Sequence, residues 1–174
     1  MIGSLVSVPA SERPDLLSQS VAAAVARDET PAMYVAEIDP ALADTAAFCE
    51  RYEVDLDVSA NCVVVAGRRG GETRFAACVV LATTRADVNG VVRRRIDARK
   101  ASFAPMDLAV AETGMEYGGI TPVGLPESWP LLVDEAVVTR PYVVVGSGLR
   151  RSKLVLAGAD LARLPGAEVL ALTG

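Results

Sequence analysis

The chain has 174 residues, 51% hydrophobic and 22% charged; a domain of this size buries roughly 70% of the surface its unfolded form exposes and needs no metal or disulfide to complete its core. It contains no histidine, which excludes the usual general base, the usual zinc ligand and a Ser-His-Asp triad. Its net charge of −5 speaks against indiscriminate nucleic-acid binding.

In chain order, the first dozen residues are small, polar and proline-bearing, and are expected to form a loosely tethered lead-in. Pro14 suits the first turn of a helix that carries Leu16, Leu17, Val21 and Val25 at helical spacing and ends over 28–31. Residues 1–30 thus read as a lead-in with a helix, and residues 31–174 as the body of one domain. A strand is predicted over 33–38, then a helix from the Asp39-Pro40 cap to about Tyr52. Residues 61–66 and 74–81 read as a hairpin looped through 67–71. A short helix over 87–95, a strand over 100–103 and a helix from Pro105 to Gly114 follow. Valine-rich runs at 131–138, 142–145 and 153–156 suggest successive strands of one sheet, before a helical turn at 161–164 and a last strand at 168–172. Helices and hairpins mixed in this order predict an α+β fold, a single domain with a mixed, curved, partly barrel-like β-sheet flanked by helices.

The three cysteines, Cys49, Cys62 and Cys78, are odd in number and form no CxxC pair, which argues against a disulfide framework and a thiolate metal site and suits small buried hydrophobes in a reducing cytosol. No run approaches the ~20 apolar residues of a membrane span, and residues 1–10 lack the basic region of a signal peptide. A soluble, cytoplasmic protein with neither cofactor nor metal is the expectation. Charge is placed unevenly: residues 1–60 hold eleven acids and three bases, net −8, and residues 61–174 eleven acids and fourteen bases, net +3. Arg93, Arg94, Arg95, Arg99 and Lys100 form one basic run, and Arg150, Arg151 and Lys153 another. Each is either a solvated face or a phosphate-contacting rim.

Three glycines and two prolines within residues 117–126 exclude helix and central strand and require a shaped loop. Consecutive peptide N–H groups in such a loop can turn inward as a concave donor site. Thr113-Gly114, then Gly118-Gly119-Ile120-Thr121-Pro122-Val123-Gly124, then Leu132-Val133-Asp134-Glu135, then Val143-Val144-Val145-Gly146-Ser147-Gly148 resemble, in order and interval, the superfamily of YbaK and prolyl-tRNA-synthetase-associated editing domains. Its GxxxP loop is matched by Gly118 and Pro122, and a weaker similarity runs over about 32–170. Where the family usually carries a lysine at the start of its first long strand, this chain has Asn61; Ala36 stands where some members carry a tyrosine, and Asn89-Gly90 where lysines are common.

The resemblance implies hydrolysis of mischarged Ala-, Cys- or Ser-tRNA by a free-standing deacylase, with the acceptor end of an aminoacyl-tRNA as partner and a synthetase as a second candidate partner. Such chemistry tolerates the missing histidine, because the ester is already activated and positioning plus oxyanion stabilisation supply much of the rate. The implied catalytic set is Asn61, the inward N–H groups of Gly118 and Gly119, and Asp134, which would fix an amino group or a water, or else cap a turn. Thr121, Pro122, Gly146, Ser147, Gly148 and Lys100 would contact substrate. Trp129 is either a plug under the loop or a stacking surface for adenine. Two other readings stay open: a binding module of the same fold that has lost turnover with the lysine, and a hydrolase or receptor for a small ester or amide unrelated to tRNA.

Overall fold

The computed structural model describes residues 2–28 and 30–173. Where a loose lead-in is expected, Ser7–Pro9 forms an edge strand, β1, and Ala10 behind it is buried. Pro14 opens only a single 3-10 turn (Pro14–Leu16); extended Leu17 interrupts it, and helix α1 (Gln19–Ala26) starts afresh. Strand β2 (Tyr34–Glu37) falls inside the predicted run. The helix expected from Asp39 to Tyr52 is two elements. Asp39 accepts the Ala41 amide (2.9 Å) and caps a 3-10 turn (Pro40–Leu42), after which α2 (Thr45–Tyr52) begins behind a second cap residue, Asp44.

The hairpin is longer and tighter than its glycine-rich sequence suggests. Gly70 and Gly71 take φ of +57° and +83°, the two left-handed residues of a type I′ turn. Strands β3 (Ala60–Arg69) and β4 (Glu72–Leu81) therefore pair without interruption from Ala60↔Leu81 to Arg69↔Glu72. Asp87 then accepts the amides of Gly90 and Val91, nucleating a π turn (Val88–Val92) that runs into α3 (Arg93–Arg95). Strand β5 (Lys100–Phe103) and helix α4 (Met106–Thr113), closed by Gly114 at φ +70°, lie where predicted. Strand β6 (Leu131–Asp134) is half the expected length because Asp134 caps a helix, α5 (Glu135–Val138). Strands β7 (Val143–Gly146) and β8 (Ser152–Leu156), a 3-10 segment (Gly158–Arg163) and β9 (Ala167–Leu170) complete the chain.

The α+β class holds, with the β structure divided between two sheets. One has the order β1-β2-β8-β7 and is antiparallel; the other, β5-β3-β4-β6-β9, is mixed, with β6 parallel to both its neighbours. The three valine-rich runs are therefore not successive strands of one sheet: β6 joins the second, β7 and β8 the first. The main core lies between them, where Val35, Val145 and Leu154 meet Val64, Val79 and Val133, with Leu16 and Val21 of the N-terminal segment. Smaller clusters cover the outer faces. Phe48 of α2 packs with Ala36, Val144 and Val155 outside the first sheet, and Val92 and Ile96 pack with Val65, Ala76 and Cys78 outside the second. Phe48 is fully buried, so truncating it to alanine costs about 3–5 kcal/mol. A parallel bridge between Ser59 and Val144 joins the sheets; beyond it they part, and a site opens.

Candidate functional site

Strand β5 pairs with β3 only from Val65 to Arg68, so Asn61, Cys62 and Val63 have one edge free. Ladder alternation, fixed by the Ala82 N–H donating to Ser59 O and the Ala104 N–H to Val64 O, turns the peptide groups of Cys62 toward that edge. Across the gap stand Val144, Val145 and Gly146 of β7. The cavity between them, about 440 Å³, is bounded by Ala43, Asp44 and Thr45 at the start of α2, by Met106, and by Tyr117 and Gly118 of the glycine loop.

Four side chains equip it. Asn61 Oδ1 accepts from Thr45 Oγ1 (2.9 Å), which leaves both protons of its amide nitrogen for an occupant. Lys153 enters from β8 through the space left by its small cross-strand neighbours, Ala36 and Gly146. It is only 8% exposed; Nζ donates to Ala43 O (3.1 Å) and lies 5.2 Å from the centroid of the Phe48 ring. Burial lowers its pKa to about 8, with the nearby Arg150 charge acting the same way and Asp44 opposing. At neutral pH it is therefore a desolvated ammonium with two protons free. Asp44 stands at the mouth, exposed and without an ion pair among the described residues. Arg150 is held by Tyr117 O (3.0 Å) and Pro40 O (3.1 Å), and lies over the Tyr117 ring at 5.5 Å. Cys62 also lines the cavity, but burial pushes its thiol up and keeps it protonated. Cys78 is likewise pushed up to about 12, and Cys49 is raised, both chiefly by burial.

Of the residues expected at the site, Asn61, Gly118 and Gly146 line the cavity. The others do different work. The Gly119 amide donates to Glu116 O (3.0 Å) and its carbonyl accepts from Gly148 N (2.7 Å), so this peptide is tied within the protein and offers no donor to an oxyanion. Gly118, at φ +77°, donates its amide to no protein acceptor among the described residues. Asp134, 2% exposed, accepts from Ala136 N (3.3 Å) and Leu172 N (2.9 Å) and lies outside the cavity: it is a cap. Thr121 is fully buried outside the cavity, its amide on Met115 Sδ (3.5 Å). Pro122 lies on the far side of the loop beside Trp129, which is stacked on Phe75 at 5.1 Å as a plug and not as a platform for adenine. Ser147, bonded to Ser152 Oγ (2.7 Å), and Gly148, where a Cβ would collide with Ser18, brace the turn that holds the loop. Lys100 lines a separate groove. Lys153, expected only as part of a solvated or phosphate-contacting basic run, and Thr45 and Asp44, which no motif singles out, are further polar residues of the lining. No three Cys, Asp or Glu side chains gather as metal ligands among the described residues, and none of the described helices is long and apolar enough to cross a membrane.

A family model for aminoacyl-tRNA editing domains matches residues 39–164. Among solved structures, the chain is similar to a candidate trans-editing enzyme for prolyl tRNA synthetase, at TM-score 0.70 and 22% identity over 82% of this chain and 87% of that one. It is also similar to a hypothetical protein, at TM-score 0.75 and 20% identity over 85% of this chain and 95% of that one. At such identities the two structures speak to the fold alone.

Proposed function

The chain belongs to the family of aminoacyl-tRNA editing domains, and we propose on that premise that it is a free-standing deacylase that hydrolyses the ester of a mischarged tRNA bearing a small amino acid of the Ala, Cys or Ser class. The observation that carries this reading is the buried ammonium of Lys153 in the same cavity as the unengaged amide nitrogen of Asn61 and the carboxylate of Asp44. An aminoacyl ester presents a carbonyl oxygen and a cationic α-amino group. The first is complementary to Lys153 and Asn61, the second to Asp44. The small walls contributed by Ala43, Ala60 and Val63 favour a short side chain, and Tyr117 with Arg150 at the mouth offers a flat face to the terminal adenine.

Water adds to the ester carbonyl carbon, and the negative charge that develops on the carbonyl oxygen meets the Lys153 ammonium and the Asn61 N–H groups. The intermediate then collapses, the C–O bond to the ribose breaks, and the ribose oxygen leaves as a hydroxyl, taking up the proton that the water has lost. Donors fixed in a dry site gain strength for such charge without reorganising; one of them is worth about 2.7–4 kcal/mol. With the Gly119 amide engaged elsewhere, this work falls to side chains from β3 and β8, helped by the Gly118 amide. The reading carries with it an acceptor end as partner, a cytoplasmic setting, and a synthetase as a possible companion.

The test is a deacylation screen over Ala-, Cys- and Ser-charged tRNAs. At least one is expected to lose its label faster at micromolar protein, and Asp44→Asn is expected to raise KM for it roughly tenfold by removing the partner of the α-ammonium. The substitution of asparagine at the family's lysine position favours one rival, a binding module without turnover. That rival requires the wild type to bind charged tRNA without hydrolysing it and Asn61→Lys to gain activity. On the present reading Asn61→Lys brings a second cation beside Lys153 and lowers activity.

A further inference from the structure

A second hollow, of about 680 Å³, runs along the β3–β5 edge next to the cavity. The first turn of α4 separates the two: Pro105 and Leu108 face the hollow, and Met106 between them lines the cavity. The charged side chains of the hollow are all basic, Arg68, Arg93, Arg99 and Lys100, with no carboxylate among the described residues that line it. Strand register brings them together. Arg68 stands directly opposite Lys100, and the Arg99 amide donates to Arg68 O (2.8 Å), so three exposed cations gather at the end of one antiparallel pair. Like charges facing each other across a sheet are destabilising. Among the described residues Arg68, Arg99 and Lys100 form no side-chain hydrogen bond or ion pair that would offset this, whereas neighbouring Arg69 and Arg74 both reach Asp97 (3.3 and 3.4 Å). Arg93 is held in place by the carbonyls of Asn89 (2.8 Å) and Ala98 (3.4 Å).

We infer that this groove binds the phosphodiester backbone of RNA, taking the single-stranded 3′ end as it leaves the cavity and the stem that follows. Uncompensated cations in a protein of net charge −5 make a local field that selects for phosphate and orients the strand. The path is short. Cys62 lines the cavity and Arg68 the groove, on the same strand and about 20 Å apart, a distance that a few unpaired nucleotides span. The identification of the RNA as a charged tRNA rests on the deacylase reading; the groove's preference for a phosphodiester chain does not.

The experiment measures binding of an uncharged acceptor-stem minihelix with a free 3′ end, as a function of KCl, to the full chain, to Arg68→Gln/Arg99→Gln/Lys100→Gln, and to a charge-matched triple elsewhere, Arg13→Gln/Arg51→Gln/Arg163→Gln. The groove variant is expected to bind at least tenfold more weakly. Its slope of log affinity against log salt should be shallower by about 2, at roughly 0.7 per phosphate contact on a single strand. The matched triple should stay within about threefold of wild type. Equal losses in both triples, an unchanged slope in the groove variant, or binding of anionic vesicles in place of the minihelix would overturn the inference. Failure of the deacylase reading looks different: no charged tRNA is hydrolysed, while the groove variant still loses the minihelix.

Discussion

Lys153 is the most consequential single residue. Its folded pKa of about 8 lies below its ordinary 10.5, so the folded state holds its proton less tightly than the unfolded chain does. Below pH 8 the side chain is charged in both states and the full desolvation penalty is present, of order 3 kcal/mol. As pH rises from 8 to 10.5 the folded form gives up its proton first and the deficit fades. Lys153→Met should therefore be more stable than wild type at pH 7 by about 1–3 kcal/mol in urea unfolding, with the difference shrinking toward pH 10. If the ammonium is what stabilises the oxyanion, the enzyme-dependent deacylation rate, corrected for spontaneous hydrolysis, falls above about pH 8. A buried charge kept at the expense of stability is what a functional site looks like. Asp134 is the opposite case. Asp134→Ala removes the acceptor of two amides and should lower stability by about 2–4 kcal/mol. Its kcat/KM, measured well below its midpoint, should stay within about threefold of wild type, a readout that a catalytic role would move.

At the level of elements, motif reading finds the strands after β1, the turns and the loop, but it misses β1 and misjudges where helices start and restart. Asp39-Pro40 is a strong cap signal, yet it serves one 3-10 turn, and Asp44-Thr45 then opens α2. That restart places Ala43 O, Asp44 and Thr45 at the cavity. Likewise Leu131–Asp134 is legible as a strand, but Asp134 ends it by capping α5 through the Ala136 amide, and its second bond, from the Leu172 amide 38 residues away, has no local signal. The glycine loop is shaped, as its composition requires, but of the two amides expected to face the cavity Gly119's is tied to Glu116 O and only Gly118's is left, because spacing reveals that amides cluster and not which carbonyls they already meet. Its shape depends on the Gly146–Gly148 turn: Gly148 is at φ +90°, and a side chain there would collide with Ser18. Gly148→Ala should lower Tm by several degrees, for a penalty of about 1–2 kcal/mol from the backbone alone, and should weaken activity together with stability.

Across the whole molecule, the site exists because two sheets share one bridge and then diverge, leaving β3 half-paired beside β7. No local pattern in residues 59–63 or 143–146 announces that meeting, and Lys153 becomes a cavity residue only once β8 lies between β2 and β7. The class of fold and the loop were legible; the pairing of β8, and with it the ammonium, was not. The sequence's charge asymmetry acquires a location, since most of the first basic run turns outward beside the cavity, with Arg93, Arg99 and Lys100 in the groove, while Arg150 and Lys153 of the second equip the cavity itself. The most direct measurement is single-turnover deacylation of the best substrate among Ala-, Cys- and Ser-tRNA by wild type and Lys153→Met at pH 7, with folding of both followed by circular dichroism. The account predicts a loss of about 10²–10³ in rate for a variant that is folded and more stable; a folded Lys153→Met that hydrolyses within threefold of wild type contradicts it.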